Sequence, residues 1–207
     1  MKLLLPYILL AMAARPAVPQ APPKEYANAS RGRQWEEATI KPSWRGRVDY
    51  VAKKIEANKS RYERISEKSG VPWFVIGALH NMECSLSFRK HLHEGSSLSR
   101  RTKWHPAGRP KGGNPPFSFE ESALDALNYD KMSRYDYSDV SVALDATERW
   151  NGLGYRKYHK DVPTPYNWSG TSLYVSGKYV SDGKWSQSAV SKQVGCAAIW
   201  KHLKIYK

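Results

Sequence analysis

The segment that decides the fold of this 207-residue chain reads Ser69-Gly70-Val71-Pro72-Trp73-Phe74-Val75-Ile76-Gly77-Ala78-Leu79-His80-Asn81-Met82-Glu83-Cys84-Ser85. Gly70 is typical of the end of a helix, and Pro72 suits the first turn of a new one, where its missing N–H is not needed. The residues that follow are apolar almost all round, which predicts a buried helix over Pro72–Cys84. Glu83 is the only acid in that helix and lies at its C-terminal end.

Two interpretations of Glu83 follow from this position. A carboxyl group at the end of a buried helix is partly desolvated, which raises its pKa and suits a general acid near neutral pH. The alternative is a carboxylate that turns outward into solvent where the helix ends. The segment by itself leaves both interpretations open.

The composition is that of a globular protein, with 41 % hydrophobic and 25 % charged residues. Eight Trp and thirteen Tyr outnumber four Phe. Trp and Tyr join a flat apolar face to a polar tip, so they suit carbohydrate or nucleobase contacts as well as cores. The formal net charge of +14 favours polyanionic partners, which include nucleic acid, anionic lipid headgroups and anionic cell-wall polymers.

The N-terminal sequence helps to choose among these polyanionic partners. Met1-Lys2 is a short positive region, and Leu3–Ala14 is an apolar run that contains the small-residue pattern Ala11-Met12-Ala13. This pattern predicts a secretory signal over residues 1–14, because the run is too short for an ordinary transmembrane helix. We therefore expect export to the periplasm or the cell exterior, with transient membrane contact through the signal and no nucleic-acid partner. An apolar N-terminal helix packed against the protein is the alternative.

The chain after the signal divides into a linker and one domain. Residues 15–42 are rich in Pro and Ala and then polar without a period, which predicts a tether and an irregular segment. Residues 43–69 carry apolar side chains at helical spacing, which predicts one amphipathic helix. Residues 85–118 contain many Gly and Pro, so we expect a long loop of functional importance. The catalytic domain is predicted over residues 43–207.

The second half of the domain predicts further helices and a small β insert. Ser118 and Glu121 have the spacing of a capping box, which predicts a helix beginning at residue 118 and running to about 127. A second helix is expected over Asp139–Asn151. Residues 173–175 and 178–180 are predicted to pair as a hairpin, and a last helix to run from Ser186 or Ser188 to Leu203. The fold class is therefore mostly α with a small β-hairpin insert.

The order of these segments resembles the lysozyme-like superfamily, in particular goose-type lysozymes and soluble lytic transglycosylases. Members have a helix introduced by a Gly-Val-Pro turn that ends in a catalytic Glu, a small residue and a nearby aromatic, here residues 70–72, Glu83, Ser85 and Phe88. A later helix ends in a Tyr-Asn-Gly type turn that lines the cleft, and residues 150–156 are similar to it.

Phage and prophage lysozyme-like proteins share further segments with this chain. These segments are His91–His93, Pro106–Pro110, Asn114–Phe117, Pro165–Gly170 and Val190–Gly195. The resemblance covers roughly residues 60–203, and its best support is the order of weak motifs along the chain. A Gly-Leu-Met-Gln motif that transglycosylases carry after the catalytic Glu is absent from this sequence.

The resemblance implies cleavage of the β-1,4 bond between N-acetylmuramic acid and N-acetylglucosamine in peptidoglycan, with Glu83 as general acid. Many lysozymes use a second acid in the following loop. The phage relatives carry it near position 96, where this chain has Ser96, so Glu94 is the candidate second carboxylate. A single acid suffices where groups of the substrate stabilise the reaction centre, so hydrolysis and transglycosylation both remain open. No cofactor is implied, and the expected partner is a glycan strand bound by a monomer.

The turn after the Asp139–Asn151 helix supplies candidate substrate contacts. Asn151 offers an amide, Gly152 allows close backbone approach, and Tyr155 offers a ring. The alternative for this turn is a plain helix C-cap. Tyr166 and Trp168 are either sugar-stacking residues or core residues.

The histidines and cysteines allow other predictions. His91, His93, Glu94, His80 and His105 have a weak resemblance to a metal-ligand set, but no H-E-x-x-H or Cys-rich spacing supports it, so we predict no metal. Cys84 and Cys196 are the only cysteines. In an exported protein they are expected to form a disulfide, whereas in the cytosol they would be buried free thiols.

Two other functions remain as alternatives at this point. A non-catalytic peptidoglycan-binding module would keep the aromatic groove without using Glu83. A zinc-dependent cell-wall peptidase or amidase would require the histidines as ligands.

Overall fold

A computed structural model of the chain describes residues 24–104, 106–181 and 183–206, with side chains from Arg31 onward. The described chain is mostly helical and contains one small antiparallel sheet, which confirms the predicted fold class. The helices are α1 (Lys24–Glu37), α2 (Arg45–Ala57), α3 (Lys59–Ser69), α4 (Trp73–Cys84), α5 (Phe119–Tyr129), α6 (Val140–Asn151), α7 (Gly154–Tyr158), α8 (Pro165–Trp168) and α9 (Cys196–His202). The strands are β1 (Lys178–Ser181) and β2 (Lys184–Ser186). The predicted signal over residues 1–14 lies outside these ranges.

Helix α4 is the buried centre of the molecule and packs against α2, α3, α6 and α9. It begins directly after Pro72, and Gly70 ends the preceding helix in the left-handed conformation at φ 70°. Gly77 allows α2 to pack closely, because a Cβ atom there would lie 2.5 Å from Cγ2 of Ile55. The predicted buried helix is therefore confirmed. In the described ranges no helix has the length and apolar character needed to cross a membrane.

The prediction of an irregular segment over residues 15–42 was wrong for α1. This helix packs against α6, and its Trp35 side chain is buried. Arg31 is also buried, where its guanidinium lies 2.7 Å from a Glu148 carboxylate oxygen. A charged residue at a core position interrupts the apolar spacing by which a buried helix is recognised in a sequence. The burial of Arg31 becomes favourable only because the fold brings Glu148 to it.

The single helix predicted over residues 43–69 is two helices that meet at Asn58. The Asn58 N–H bonds to the carbonyl of Ile55, and its side chain donates to the Lys54 carbonyl at 2.9 Å, which ends α2. The apolar positions were nevertheless identified correctly, since Val48, Val51, Ile55, Tyr62 and Ile65 are all buried. The break lets α2 pack against α9 while α3 packs against α5.

Helices α5 and α6 begin as predicted. The Ser118 side chain accepts the N–H of Glu121 while the Glu121 carboxylate accepts the N–H of Ser118, which completes the capping box. Asp139 caps α6 by accepting the N–H of Ser141 at 2.7 Å. Between α4 and α5 the chain forms the long loop that the sequence predicts, with no helix or strand among its described residues.

The hairpin and the last helix differ from the predictions. The strands pair antiparallel, with Lys178 opposite Ser186 and Tyr179 opposite Trp185, and residues 173–175 are not a strand. The last helix begins at Cys196 because residues 187–195 pass over α8 in irregular form. Gly195 makes the closest approach, since a Cβ atom there would lie 2.5 Å from the carbonyl oxygen of Asn167. These contacts between distant segments overrode the local preference for helix.

Candidate active site

The carboxyl group of Glu83 is held by the indole of Trp150. Glu83 lies half-buried in the last turn of α4, and the Trp150 Nε1–H donates to its Oε1 at 2.8 Å. Trp150 is 2 % exposed and packed into the core, so its N–H has a fixed position. This contact was not predicted from the sequence, where its only signal is that Trp150 begins the turn motif. The result is a carboxyl group oriented by the core of the protein.

The end of α4 is anchored to the segment before α9. Asn81 Nδ2 donates to the Val194 carbonyl at 3.0 Å, and Gln193 Nε2 donates to the Met82 carbonyl at 2.7 Å. The Gln193 bond satisfies a carbonyl in the last turn of α4, and both bonds tie the helix end to a distant part of the chain. The backbone of Glu83 is therefore restrained on the side of α9.

The turn after α6 lies beside this helix end. Asn151 Nδ2 donates to the Thr147 carbonyl at 2.9 Å and lies 3.8 Å from the Met82 sulfur. Its Oδ1 is buried without a hydrogen-bond partner in the described chain. Gly152 ends α6 at φ 94°, a conformation that favours glycine. Asn151 and Gly152 thus lie on the same side of the molecule as Glu83, where the sequence predicted substrate contacts.

An aromatic cluster continues from the turn to the hairpin. Tyr155 is 4 % exposed, and its ring centroid lies 5.6 Å from that of Tyr166, 5.7 Å from Tyr179 and 5.5 Å from Trp185. Burial raises the pKa of Tyr166 strongly, with smaller contributions from nearby Tyr155 and from the charge of Glu83. Tyr166 therefore lies within electrostatic reach of Glu83 and stays a neutral hydroxyl.

Trp168 has a different environment from the one predicted for a sugar-stacking residue. It is 2 % exposed and belongs to the hydrophobic core. No face of its ring is available to a ligand in this conformation. Trp168 is therefore a core residue, which was the second interpretation of the sequence. This correction arises because burial depends on which elements cover the residue, and the sequence does not show that.

Glu94, the candidate second carboxylate, is bonded to its own loop. Its Oε1 accepts the Lys103 N–H at 2.8 Å and the Ser96 hydroxyl at 2.5 Å, and its Oε2 accepts the Trp104 N–H at 2.7 Å. Both carboxylate oxygens are therefore engaged in bracing the loop between α4 and α5. These bonds give Glu94 a structural role in the loop, and its role as a second carboxylate stays a prediction.

His80, His91 and His93, which were candidate metal ligands, are buried and form hydrogen bonds with other side chains. His80 Nδ1 lies 2.9 Å from the Tyr62 hydroxyl, and burial lowers the pKa of His80 to about 4. His91 and His93 bond to Ser122 and Asp125 on α5. Among the described residues no group of three or more His, Cys, Asp or Glu side chains could hold a metal ion. His105 lies outside those residues.

The disulfide predicted between Cys84 and Cys196 is not formed. Both are buried free thiols, and their sulfurs have different neighbours. Cys84 Sγ lies 3.3 Å from the His91 carbonyl oxygen, whereas Cys196 Sγ lies 4.0 Å from the Met82 sulfur. Burial raises the pKa of the Cys84 thiol well above its ordinary value and that of Cys196 to about 12. The two cysteines are therefore separately packed thiols, which was the alternative to a disulfide.

A buried charge cluster, which the sequence analysis missed, joins α1 to α6 and α7. It consists of Arg31, Asp145, Glu148, Arg149 and Arg156, joined by contacts of 2.6 to 3.2 Å. Burial raises the pKa of Glu148 to about 7, against the lowering effect of the Arg31 charge. The spacing of Asp145 and Arg149 at i and i+4 is the sequence signal, but it does not reveal burial.

The arrangement places one oriented carboxyl group near an aromatic cluster in which Tyr155 is buried and Tyr166, Tyr179 and Trp185 are partly exposed. An oriented carboxyl group can donate a proton to a leaving group and recover it in a later step. Tyrosine and tryptophan rings can stack on the apolar faces of sugars. No family model, curated protein or solved structure matches the chain.

Proposed function

We propose that the protein is an exported, monomeric enzyme of lysozyme-like fold that cleaves the β-1,4 bond between N-acetylmuramic acid and N-acetylglucosamine in peptidoglycan. The observation that carries this proposal is the Glu83 carboxyl group, half-buried at the end of the apolar helix α4 and bonded to Trp150. A fixed carboxyl group in a partly desolvated place is the chemical requirement for a general acid in glycoside cleavage.

In the proposed reaction Glu83 starts as the protonated acid while Trp150 donates to its Oε1. Glu83 transfers this proton to the glycosidic oxygen as the bond from that oxygen to the anomeric carbon breaks. The positive charge that develops on the sugar is then quenched by water or by the 6-hydroxyl of the same muramic acid residue. The attacking hydroxyl loses its proton to the Glu83 carboxylate, which restores the acid.

A single-acid mechanism is favoured by the state of Glu94. Both of its oxygens are engaged by the Lys103 and Trp104 N–H groups and by Ser96. Moving the carboxylate toward a substrate would mean giving up these bonds. In this proposal the substrate itself stabilises the developing charge.

The aromatic cluster supports a glycan strand as the partner. Tyr166, Tyr179 and Trp185 are partly exposed and pack around the buried ring of Tyr155, and Tyr166 is within reach of the Glu83 charge. Rings with polar tips at the margin of an acid site fit a sugar polymer. The net charge of +14 favours anionic polymers of a cell envelope as surroundings.

Digestion of purified peptidoglycan, followed by mass spectrometry of the fragments, tests the proposal. Muramic-acid ends with water added would identify a hydrolase, and 1,6-anhydro ends a transglycosylase. The Glu83→Gln variant should release no fragments above background, whereas Glu67→Gln, which changes an exposed acid on α3, should digest normally. Binding of peptidoglycan without fragments would identify a binding module, and peptide fragments lost in EDTA would identify a zinc peptidase.

A further inference from the structure

A tight turn in the loop after α4 packs on the backbone of Glu83. The turn covers residues 91–96 and is closed by two hydrogen bonds of 2.8 Å, from the Gly95 N–H to the His91 carbonyl and from the His91 N–H to the Ser96 carbonyl. Gly95 has φ 73°, and a Cβ atom on it would overlap the carbonyl oxygen of Glu83. The turn therefore lies directly against the backbone of Glu83, with no room for a side chain between them.

The turn is held in place through the side chain of His93. This side chain is buried, and its Nε2 lies 2.8 Å from Oδ2 of Asp125 on α5. Arg109, from the other end of the same loop, donates to both oxygens of Asp125 at 2.8 Å. One carboxylate thus joins the turn, helix α5 and the returning limb of the loop.

The proton positions in this network follow from its acceptors. His91 Nε2 lies 2.7 Å from the Arg100 carbonyl oxygen, so it carries a proton, and His91 Nδ1 accepts the Ser122 hydroxyl at 2.8 Å. His93 Nε2 faces a carboxylate and must also carry a proton. The His93 side chain therefore acts as a donor to Asp125, and a replacement without a donor cannot hold the turn.

The charged groups around His93 balance one another. The Arg109 guanidinium neutralises Asp125, and His91 lies beside His93 with a ring separation of 5.9 Å. Burial lowers the pKa of His93 to about 4 despite its bond to Asp125, so the ring is neutral near pH 7. The bond from His93 to Asp125 is thus a hydrogen bond of a neutral donor to a paired carboxylate.

We propose that His93 is a positioning residue for Glu83, which it controls through the Gly95 contact, and that Asp125 and Arg109 fix His93. The functional part of this inference rests on the proposed role of Glu83 as the acid. The structural part, the orientation of the Glu83 carboxyl group against Trp150, stands independently of any activity.

The test compares His93→Leu with His93→Gln, because glutamine Nε2 can replace the donor to Asp125 and leucine cannot. The readouts are the indole N–H resonance of Trp150 in ¹H–¹⁵N spectra and the kinetics of peptidoglycan cleavage. We expect the resonance to move in His93→Leu and to return toward its original position in His93→Gln. We expect kcat to fall about 10- to 100-fold with leucine while KM stays nearly constant, since a small misplacement of a reacting group has effects of this size.

A stability control separates positioning from general damage. Val48→Ala creates a cavity under α2, so it lowers stability without touching the turn, and it should leave both the resonance and kcat unchanged. If His93→Leu does not fold, Asp125→Asn carries the test, because it removes the charge that holds Arg109 while keeping the shape of the side chain. The resonance should then move in Asp125→Asn.

A folded His93→Leu or Asp125→Asn variant with an unmoved Trp150 resonance would overturn the proposal, as would equal losses of kcat with glutamine and leucine. A protein that shows the expected resonance changes but no activity on peptidoglycan at all would refute the proposed function and leave the positioning of Glu83 established.

Discussion

Trp150 on α6 donates its indole N–H to Oε1 of Glu83 on α4 at 2.8 Å, which joins the ends of two core helices through a carboxyl group. Both helices are buried along most of their length, so neither partner can move without disturbing the core. A hydrogen bond between an acid and a rigid donor fixes the direction in which the second oxygen points. That direction is what a general acid needs in order to reach one atom of a substrate.

Replacing Glu83 by glutamine tests the acid directly. Glutamine keeps the size of the side chain and loses the transferable proton, so activity on peptidoglycan should fall about 10²–10⁴-fold. Circular dichroism and the melting temperature should stay close to those of the unsubstituted protein, because the glutamine Oε1 can still accept the Trp150 N–H. Normal digestion by a folded Glu83→Gln variant would refute the proposed function.

The Trp150→Phe variant removes the donor and keeps an aromatic ring. A hydrogen bond to a charged group is worth about 1.5–3 kcal/mol, so activity should fall about 10- to 100-fold. Loss of the donor leaves the Glu83 carboxyl group less firmly oriented, so kcat should fall while KM stays nearly constant. The measurement is the kinetics of peptidoglycan cleavage. An unchanged kcat in a folded variant would mean that the indole N–H is not needed for activity.

Arg31→Ala tests whether the packing of α1 against α6 stabilises the protein. The Arg31 guanidinium contacts Asp145 and Glu148 at 3.2 and 2.7 Å, and its loss should reduce the free energy of unfolding by about 1.5–3 kcal/mol. The cost is limited because Arg156 bonds to the same two carboxylates. Urea unfolding measures the change, and hydrogen exchange should be faster in α1. Exposed Arg33→Ala is the matched control and should change neither quantity.

Acid should destabilise the protein through His80. Burial lowers its folded pKa from 6.5 to about 4, so between these values the unfolded state binds a proton that the folded state does not. Stability is therefore lost as the pH falls from about 6.5 to 4, by roughly 2–3 kcal/mol for this residue. His93 acts in the same direction, and Glu148, with a raised pKa of about 7, acts in the opposite one.

A double variant isolates the share of His80 in this pH dependence. Tyr62→Phe combined with His80→Phe removes the histidine together with its hydroxyl partner, so that no buried polar group is left unpaired. Urea unfolding at pH 7 and pH 4.5 should show a smaller difference in stability than in the unsubstituted protein. An unchanged difference would show that the pKa of His80 in the folded protein is not lowered from its unfolded value.

The two cysteines should behave as buried thiols. Burial raises the pKa of both, and the thiolate is the reactive form, so the native protein should react slowly with a thiol reagent. After unfolding in urea without a reductant, two thiols per chain should react rapidly. A count of zero under those conditions would show that the cysteines are joined after all.

Much of the fold could be predicted from local sequence. Gly70 and Pro72 delimit α4, the Ser118–Glu121 capping box begins α5, and Asp139 begins α6, because turns and caps depend on a few neighbouring residues. The apolar period also identified the buried positions of α2 and α3, although not the break between them. Features that depend on distant partners were predicted less well. The register of the hairpin and the start of α9 follow from packing against residues far away in the chain.

The sequence by itself determined that Glu83 ends a buried helix, since the apolar run, the proline and the single acid are all local. Only the tertiary structure decided what surrounds that carboxyl group. It brought Trp150 to Glu83 across 67 positions of the chain, engaged both oxygens of Glu94 within its loop, and buried Trp168. The physical reason is that hydrogen bonds and burial depend on distances in space. Backbone preferences and periodicity report only on near neighbours in the chain.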